Sequence, residues 1–386
     1  GYPAGRRAVY AANGMVCTGQ PLAAQAGLAV LQRGGNAVDA AVAAAAALTV
    51  AEPTANGIGG DAFALVWKDG RLYGLNSSGP APALLSIDEL AGRAADGTPA
   101  MATFGWEPVT VPGAPAAWAA LSGRFGSLPF ADVLSGAIRL ADEGFPVSPV
   151  CSRYWAAAAT RYREVLADPL FDEWFRVFTR GGGRSGATPR PGELWRMPDH
   201  AETLRSIADS QAESFYRGKL ADVIDRHSRT TGGFIRAEDL RRFEPEWVQP
   251  ISLRYRGYDI WEIPPNGQGM VALSALGTLA GDNLGGMDPA VSVHLQIEAL
   301  KLAFADAAEY ITEEDRMPHT PADLLAPGYL ASRRTLIGTE AGLPAAGTPE
   351  RGGTVYLATA DASGMMVSYI QSNYMGFGSE IGRAHV

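Results

Sequence analysis

The stretch Arg351-Gly-Gly-Thr-Val-Tyr-Leu-Ala-Thr-Ala-Asp-Ala-Ser-Gly-Met-Met-Val-Ser-Tyr-Ile-Gln-Ser372 decides how the rest of the chain is read. Two runs, 354–360 and 365–372, flank a turn signal at 361–364 and predict a strand–turn–strand. Ahead of them, 338–353 has no periodicity and is rich in Gly, Pro and Ala, as a surface linker would be. A cut in front of Thr354 would give that residue both a hydroxyl nucleophile and a free α-amine. Such an amine, with a reference pKa of about 7.7–8.0, is partly deprotonated near neutrality. It can therefore act as general base for the adjacent hydroxyl without a histidine. β-Branching narrows the choice of χ1 at Thr354, and Gly352-Gly353 would let it reach its own preceding carbonyl. On this local pattern alone, an ordinary Gly-Gly linker before a Thr-rich edge strand is the simpler reading.

Working outward, 20–32 reads as a helix stopped by Arg33-Gly34-Gly35, and Asn36 is placed to cap a second helix over 37–50. The Gly-rich stretch 52–61 reads as a packing loop; it lacks the Lys-Ser/Thr of a phosphate loop. Residues 62–67 and 71–75 flank Asp69-Gly70, a strong hairpin signal. Helices are expected over 84–92, 115–125, 129–142, 214–229, 237–243 and 291–310, strands over 109–113 and about Gly257, and a mobile surface loop over 180–191. No internal repeat is evident.

At 386 residues the chain exceeds the ~100–200 residues of one typical domain. With 47% apolar and 19% charged residues it is not a disordered chain. The net charge is −9 and Lys68, Lys219 and Lys301 are the only lysines, so no basic stripe invites nucleic acid. Cys17 and Cys151 are too few for a disulfide scaffold or a multi-cysteine zinc site, and Cys17 reads as a buried small hydrophobe. The five histidines show no HxxxH spacing, so no metal is expected. The longest apolar run, 40–51, falls short of the ~20 residues that span a bilayer, and no membrane association is expected. No apolar segment follows Arg6 and Arg7, so no signal peptide is visible. This favours the cytoplasm, with the periplasm or secretion open if the N-terminus, which begins at Gly1, is incomplete.

Several segments fall into one order. Gly14-Met-Val, Gln20-Pro-Leu-Ala-Ala-Gln-Ala-Gly27, Gly34-Gly-Asn-Ala-Val-Asp-Ala-Ala41, Glu52-Pro-Thr54 and Gly57-Ile-Gly-Gly-Asp61 are followed by Val111-Pro-Gly113, Glu298-Ala-Leu-Lys-Leu-Ala-Phe-Ala-Asp306 and Gly352-Gly-Thr354. From about residue 14 to 378 the chain resembles the γ-glutamyltranspeptidase family of N-terminal nucleophile hydrolases. The resemblance implies an α+β fold, a four-layer αββα sandwich whose second sheet is incomplete in this chain. It implies a zymogen that cleaves itself between Gly353 and Thr354 into a large and a small chain that stay together. It implies acyl transfer through an acyl-Thr354 ester to water or an amino group, with small γ-glutamyl amides such as glutathione as substrates and no cofactor. Ser372 falls where the family has a hydroxyl residue close to the nucleophile. Tyr374 falls where well-studied members have a substrate-holding Asn, whose amide contacts a Tyr cannot offer. Ser78 in Asn76-Ser-Ser-Gly-Pro-Ala-Pro82 falls where an Arg would clamp the substrate α-carboxylate, a bidentate contact suited to Arg. The Gln371-Ser-Asn-Tyr374 form resembles the branch of γ-glutamyltransferase-like hydrolases and cephalosporin-acylase-like members, and Ser78 and Tyr374 together favour the alternative, an amidohydrolase of glutaryl or other acyl amides.

The resemblance divides the chain into a large-subunit region, 1–353, and the start of a small-subunit region, 354–379. The family continues well over 100 residues past the nucleophile, against 33 here. The end, Glu380-Ile-Gly-Arg-Ala-His-Val386, departs from the family pattern and matches one reading frame of a common sequencing adapter, so 380–386 is expected to be a non-native tail. On that reading the chain as it stands is poorly soluble and inactive, and a non-catalytic fragment is the reading from another class. His294 is expected to be structural, Glu298, Lys301 and Asp306 to be surface and interface charges of one helix, and Asp361 a turn residue.

Overall fold

Asn36 caps the helix Ala37–Ala51, as its place in the sequence predicts. Its side chain accepts from the amides of Val38 and Asp39, and the Asp39 carboxylate accepts from the Asn36 N–H at 3.0 Å. Each end of this box satisfies donors that a helix start leaves orphaned. Asp39 also accepts from the amides of Ser127 at 2.9 Å and Leu128 at 3.3 Å, which ties the cap to the loop after helix Ala114–Phe125. All fifteen residues of the Ala37–Ala51 helix are buried. Alanine makes that possible, because neighbouring elements can pack close to the helix backbone without voids. The structure is a computed structural model that describes residues 8–93, 101–342, 354–373 and 376–379.

The chain forms two compact units. The first takes the described residues of Gly1–Arg71, Asn76–Glu246 and Arg351–Val386; the second takes those of Leu72–Leu75 and Trp247–Glu350. In the first unit the buried helix packs on helices Pro21–Gln32 and Phe130–Glu143 and on a sheet. Four strands of that sheet lie in the order Gly14–Thr18, Thr354–Asp361, Met366–Ser372, Asp61–Lys68, each antiparallel to the next. The late hairpin therefore sits between strands drawn from the first seventy residues. Val355, Leu357, Thr359, Val367, Tyr369, Gln371, Ala62, Ala64 and Val66 are buried, alternating with the more exposed Tyr356, Met366, Ile370 and Trp67. That period of two is what a half-buried sheet requires. Asp69 and Gly70 both adopt positive φ, 51° and 76°, as a tight two-residue turn demands. At the other turn the Asp361 carboxylate accepts from the amides of Ser363 and Ala37, at 2.8 and 2.9 Å, so the turn residue also secures the start of the buried helix.

Some expectations are corrected. Residues 109–113 form no strand, because Val111 N–H goes to the Pro80 carbonyl and Gly113 N–H to that of Gly60, two partners that make no ladder. The helix expected over 214–229 is broken at Gly218 into Glu213–Arg217 and Lys219–Thr230. The 180–191 loop is held down: Arg163 donates to the carbonyls of Arg184 and Gly186, both at 2.6 Å, and Arg184 to Asp172 at 2.7 Å. Cys17 is exposed, because its register partner is Ala358, on the more open face of the sheet, and not a residue of the buried face of Leu357 and Thr359.

The second unit joins the hairpin Ile251–Tyr255 and Tyr258–Glu262 to helices Gly269–Thr278, Pro289–Tyr310 and Pro327–Arg334. Val271, Ala275, Leu295, Ala299 and Leu302 form its apolar centre. Two members of the charged set are less superficial than expected. Glu298 is buried and takes Lys301 at 2.7 Å and the Gly342 amide at 3.1 Å, and Asp306 pairs with Arg333 at 2.7 Å with both side chains largely covered. His294 holds the Gly338 carbonyl at 3.0 Å, a structural contact. The chain is α+β. Besides the main sheet, the described residues contain two sheets of two strands each, so a second large sheet is not among them.

Candidate active site

The register of the central strands brings three chemistry-bearing positions into one row. Ser372 lies directly opposite Thr354 on one side and directly opposite Asp61 on the other. Thr354 opens its strand, Ser372 closes its own and Asp61 opens a third. The row therefore stands at one end of the sheet. Gly353 and Tyr374 lie outside the described residues.

The Ser372 main chain is gripped from the Gly-rich loop. Its N–H donates to Asp61 Oδ1 at 3.2 Å. Its carbonyl oxygen lies so close to Gly60 that a Cβ there would come within 1.9 Å. Only glycine permits that approach. The Gly60 carbonyl in turn accepts from Gly113 and Ala114 at 2.8 and 2.9 Å. Burial pushes the Asp61 carboxyl up to about 6, with the Ser372 N–H pulling the other way. Asp61 is a site residue the sequence reading quoted without assigning it chemistry.

A buried polar network supports the row from the other face of the sheet. Gln371 donates to Asn56 Oδ1 at 2.6 Å and accepts from Tyr369 at 2.6 Å and Trp118 at 3.1 Å. It joins the strand that ends in Ser372 to the loop that ends in Gly60. Asn373, next in the chain, is buried with neither side-chain amide atom hydrogen-bonded. Sequence reading missed it; the signal available was the unbroken polar run Gln371-Ser372-Asn373 at a strand end.

Ser78 follows the strand Arg71–Ser77, in the loop beside this row. The Ser77 hydroxyl donates to the Gly113 carbonyl at 2.7 Å, and Gly113 reaches Gly60. The Ser78 amide and hydroxyl both donate to Asn76 Oδ1, at 3.0 and 2.8 Å. No guanidinium occurs in the loop sequence 76–82.

Downstream of Ser372, Phe377 is fully buried. Its ring centroid lies 4.8 Å from Phe178, 5.2 Å from Trp174 and 5.6 Å from Trp155. Ser379 accepts from the Gly105 amide at 3.0 Å. The chain is thus anchored on both sides of the row. No group of His, Cys, Asp and Glu side chains among the described residues is arranged to hold a metal ion. No helix among them is long and apolar enough to cross a membrane.

Comparison with known proteins adds a framework to this geometry. The gamma-glutamyltranspeptidase family model matches residues 23–385. The oxamate amidohydrolase proenzyme of Klebsiella pneumoniae is 34% identical, over 96% of this chain and 68% of its own length. The glutathione hydrolase-like YwrD proenzyme of Bacillus subtilis is also 34% identical, over 97% and 69%. Among solved structures, cephalosporin acylase from Bacillus halodurans is 52% identical with a TM-score of 0.92, covering 100% of this chain and 70% of that one. The Helicobacter pylori gamma-glutamyltranspeptidase gives 28% identity and a TM-score of 0.75, covering 90% and 95%. Sequence match, curated relatives and solved folds agree: the chain belongs to the gamma-glutamyltranspeptidase family, enzymes of the N-terminal nucleophile hydrolase type.

Proposed function

We propose that this chain is the precursor of an N-terminal-threonine hydrolase or acyltransferase of γ-glutamyl amides such as glutathione. The observation that carries the reading is the register pair Thr354–Ser372 at the strand start that follows Gly352-Gly353. Directly opposed residues of an antiparallel pair share a face, with Cβ atoms about 4.5–5.5 Å apart. That register supports a hydrogen bond from the Ser372 hydroxyl to the nucleophile. In maturation, the Thr354 hydroxyl attacks the Gly353 carbonyl carbon, the peptide C–N bond breaks, and an ester to Thr354 forms. Water hydrolyses the ester, leaving a Gly353 carboxylate and a free Thr354 amine. In turnover the Thr354 hydroxyl attacks the substrate amide carbon. Its α-amine takes the hydroxyl proton and passes it to the leaving amine. Water, or an acceptor amine, then cleaves the acyl-Thr354 ester.

A second reading, an acylase of glutaryl or other acyl amides, is favoured by Ser78. The side chain at that position, held to Asn76, cannot supply the bidentate carboxylate contact of an Arg. Tyr374, as a substrate-side residue, fits this second reading better than the first.

Intact-mass measurement and N-terminal sequencing of the purified chain test the first step. A fragment beginning at Thr354 is expected, and Thr354→Ala should abolish it. Hydrolysis of γ-glutamyl-p-nitroanilide against glutaryl-p-nitroanilide then separates the two substrate classes. Turnover of the glutaryl compound alone rejects the γ-glutamyl reading, and cleavage that survives Thr354→Ala removes Thr354 from the mechanism.

A further inference from the structure

Serine at 372 has to be held against Thr354 to act on it, and the row shows what holds it. Its N–H is taken by a side chain, Asp61 Oδ1 at 3.2 Å. Its carbonyl oxygen abuts Gly60, where no Cβ fits. Gly60 and Asp61 are consecutive, and the Gly60 carbonyl is fixed by the amides of Gly113 and Ala114. This dipeptide thus accepts the Ser372 N–H and packs against its carbonyl oxygen, and is itself fastened to the start of helix Ala114–Phe125.

We propose that Gly60-Asp61 is a positioning clamp for the active site, in which the Asp61 carboxylate sets the placement of Ser372 beside Thr354. This inference rests on the reading of Thr354 as nucleophile. Asp61 is a positioning residue: it acts through the Ser372 main chain. An ionised carboxylate accepts the N–H more strongly than a neutral acid does. The clamp is therefore tight when Asp61 is charged and slack when it is protonated. Burial raises its carboxyl to about 6, which brings the change within reach of ordinary assay conditions.

The groups that face Asp61 leave it to titrate by itself. Tyr369, on the strand of Ser372, lies within its electrostatic reach, and Tyr216 within that of Tyr369. Both phenols are raised by burial and stay neutral through the working range. No cationic side chain contributes to the shift of Asp61. The other titrating group in the row is the α-amine that cleavage would create at Thr354.

The test uses the full chain with Asp61→Asn, which keeps an acceptor oxygen but cannot ionise, and Asp61→Ala, which removes it. The first readout is hydrogen exchange at the Ser372 amide, corrected for the intrinsic pH dependence. In the wild type, protection should fall as the pH drops through about 6. It should be independent of pH in Asp61→Asn and reduced in Asp61→Ala, where only the strand pairing on either side of Ser372 remains. The second readout is the pH profile of kcat on the p-nitroanilide that is turned over. A required amine alone gives a rate that falls in first order with protons; a required carboxylate adds a second order below its own pKa. The wild type should show the second-order limb and Asp61→Asn only the first-order one, with KM little changed. Wild-type protection at Ser372 in Asp61→Ala, or a second-order limb that persists in Asp61→Asn, overturns the clamp. If Asp61→Ala does not fold, the isosteric Asp61→Asn carries both readouts. A wild-type chain with no Thr354 N-terminus would sink the nucleophile reading instead. The exchange data would still decide the clamp.

Discussion

Asp61 shows how a single side chain can trade stability for placement. It is covered enough that burial outweighs the hydrogen bond from the Ser372 amide, and its carboxyl is raised from 3.8 to about 6. The folded state therefore binds this proton more tightly than the unfolded chain. It follows that Asp61 favours folding below pH 3.8 and progressively disfavours it as the pH rises towards about 6. Asp61→Asn should therefore gain thermal stability relative to the wild type as the pH is raised from 4 to 7, by thermal unfolding at both ends of that window. A difference that stays flat, or reverses, would mean the carboxylate is better paired than its surroundings indicate. Asn373 makes a related point. A buried amide with no partner costs about 1–3 kcal/mol per unsatisfied group, so stability does not explain its presence beside Ser372.

At the scale of elements, the Ala37–Ala51 helix depends on its first turn. Asp39 accepts from three main-chain amides, those of Asn36, Ser127 and Leu128. Asp39→Ala removes the acceptor half of the capping box, worth about 0.5–2 kcal/mol, and leaves the Ser127 and Leu128 amides to water, each at about 1 kcal/mol because they are only partly buried. The expected loss, read from chemical denaturation, is about 2–4 kcal/mol. A loss under 1 kcal/mol would show that water replaces the carboxylate freely. This helix was legible in the sequence, because Asn36, Asp39 and the alanine run are local signals. The 109–113 segment was not. Its alternation is that of a strand, but its amides are claimed by Pro80 and Gly60, residues distant in sequence. Gly218 was misread for the opposite reason: the periodicity continues across it while the backbone leaves the helical region.

For the whole molecule, the decisive arrangement is a late strand placed between early ones. Thr354–Asp361 pairs with Gly14–Thr18 on one side and Met366–Ser372 on the other. A cut before Thr354 leaves both ladders intact. The cleaved protein should therefore travel as one complex under native conditions, heavier than the uncut chain by the one water taken up, and separate into two chains only in denaturant. Native against denaturing mass spectrometry checks this, and dissociation without denaturant would contradict the sheet order. Phe377 supplies a second anchor downstream of the cut, because its ring closes an aromatic cluster with Trp155, Trp174 and Phe178.

Elements whose causes are local follow from the chain alone. These are the capped alanine helix, the Asp69-Gly70 hairpin, the late strand pair and the Gly-Gly-Thr that marks Thr354. The sequence also placed Ser372 near that residue, through the family pattern. Which residues flank Ser372 follows from the pairing of the strands. Register is a relation between strands nearly three hundred residues apart, fixed by which faces are buried and not by any short-range signal. That is why Asp61 stood in the sequence as the end of a Gly-rich loop. It became a partner of Ser372 only once the strands were paired.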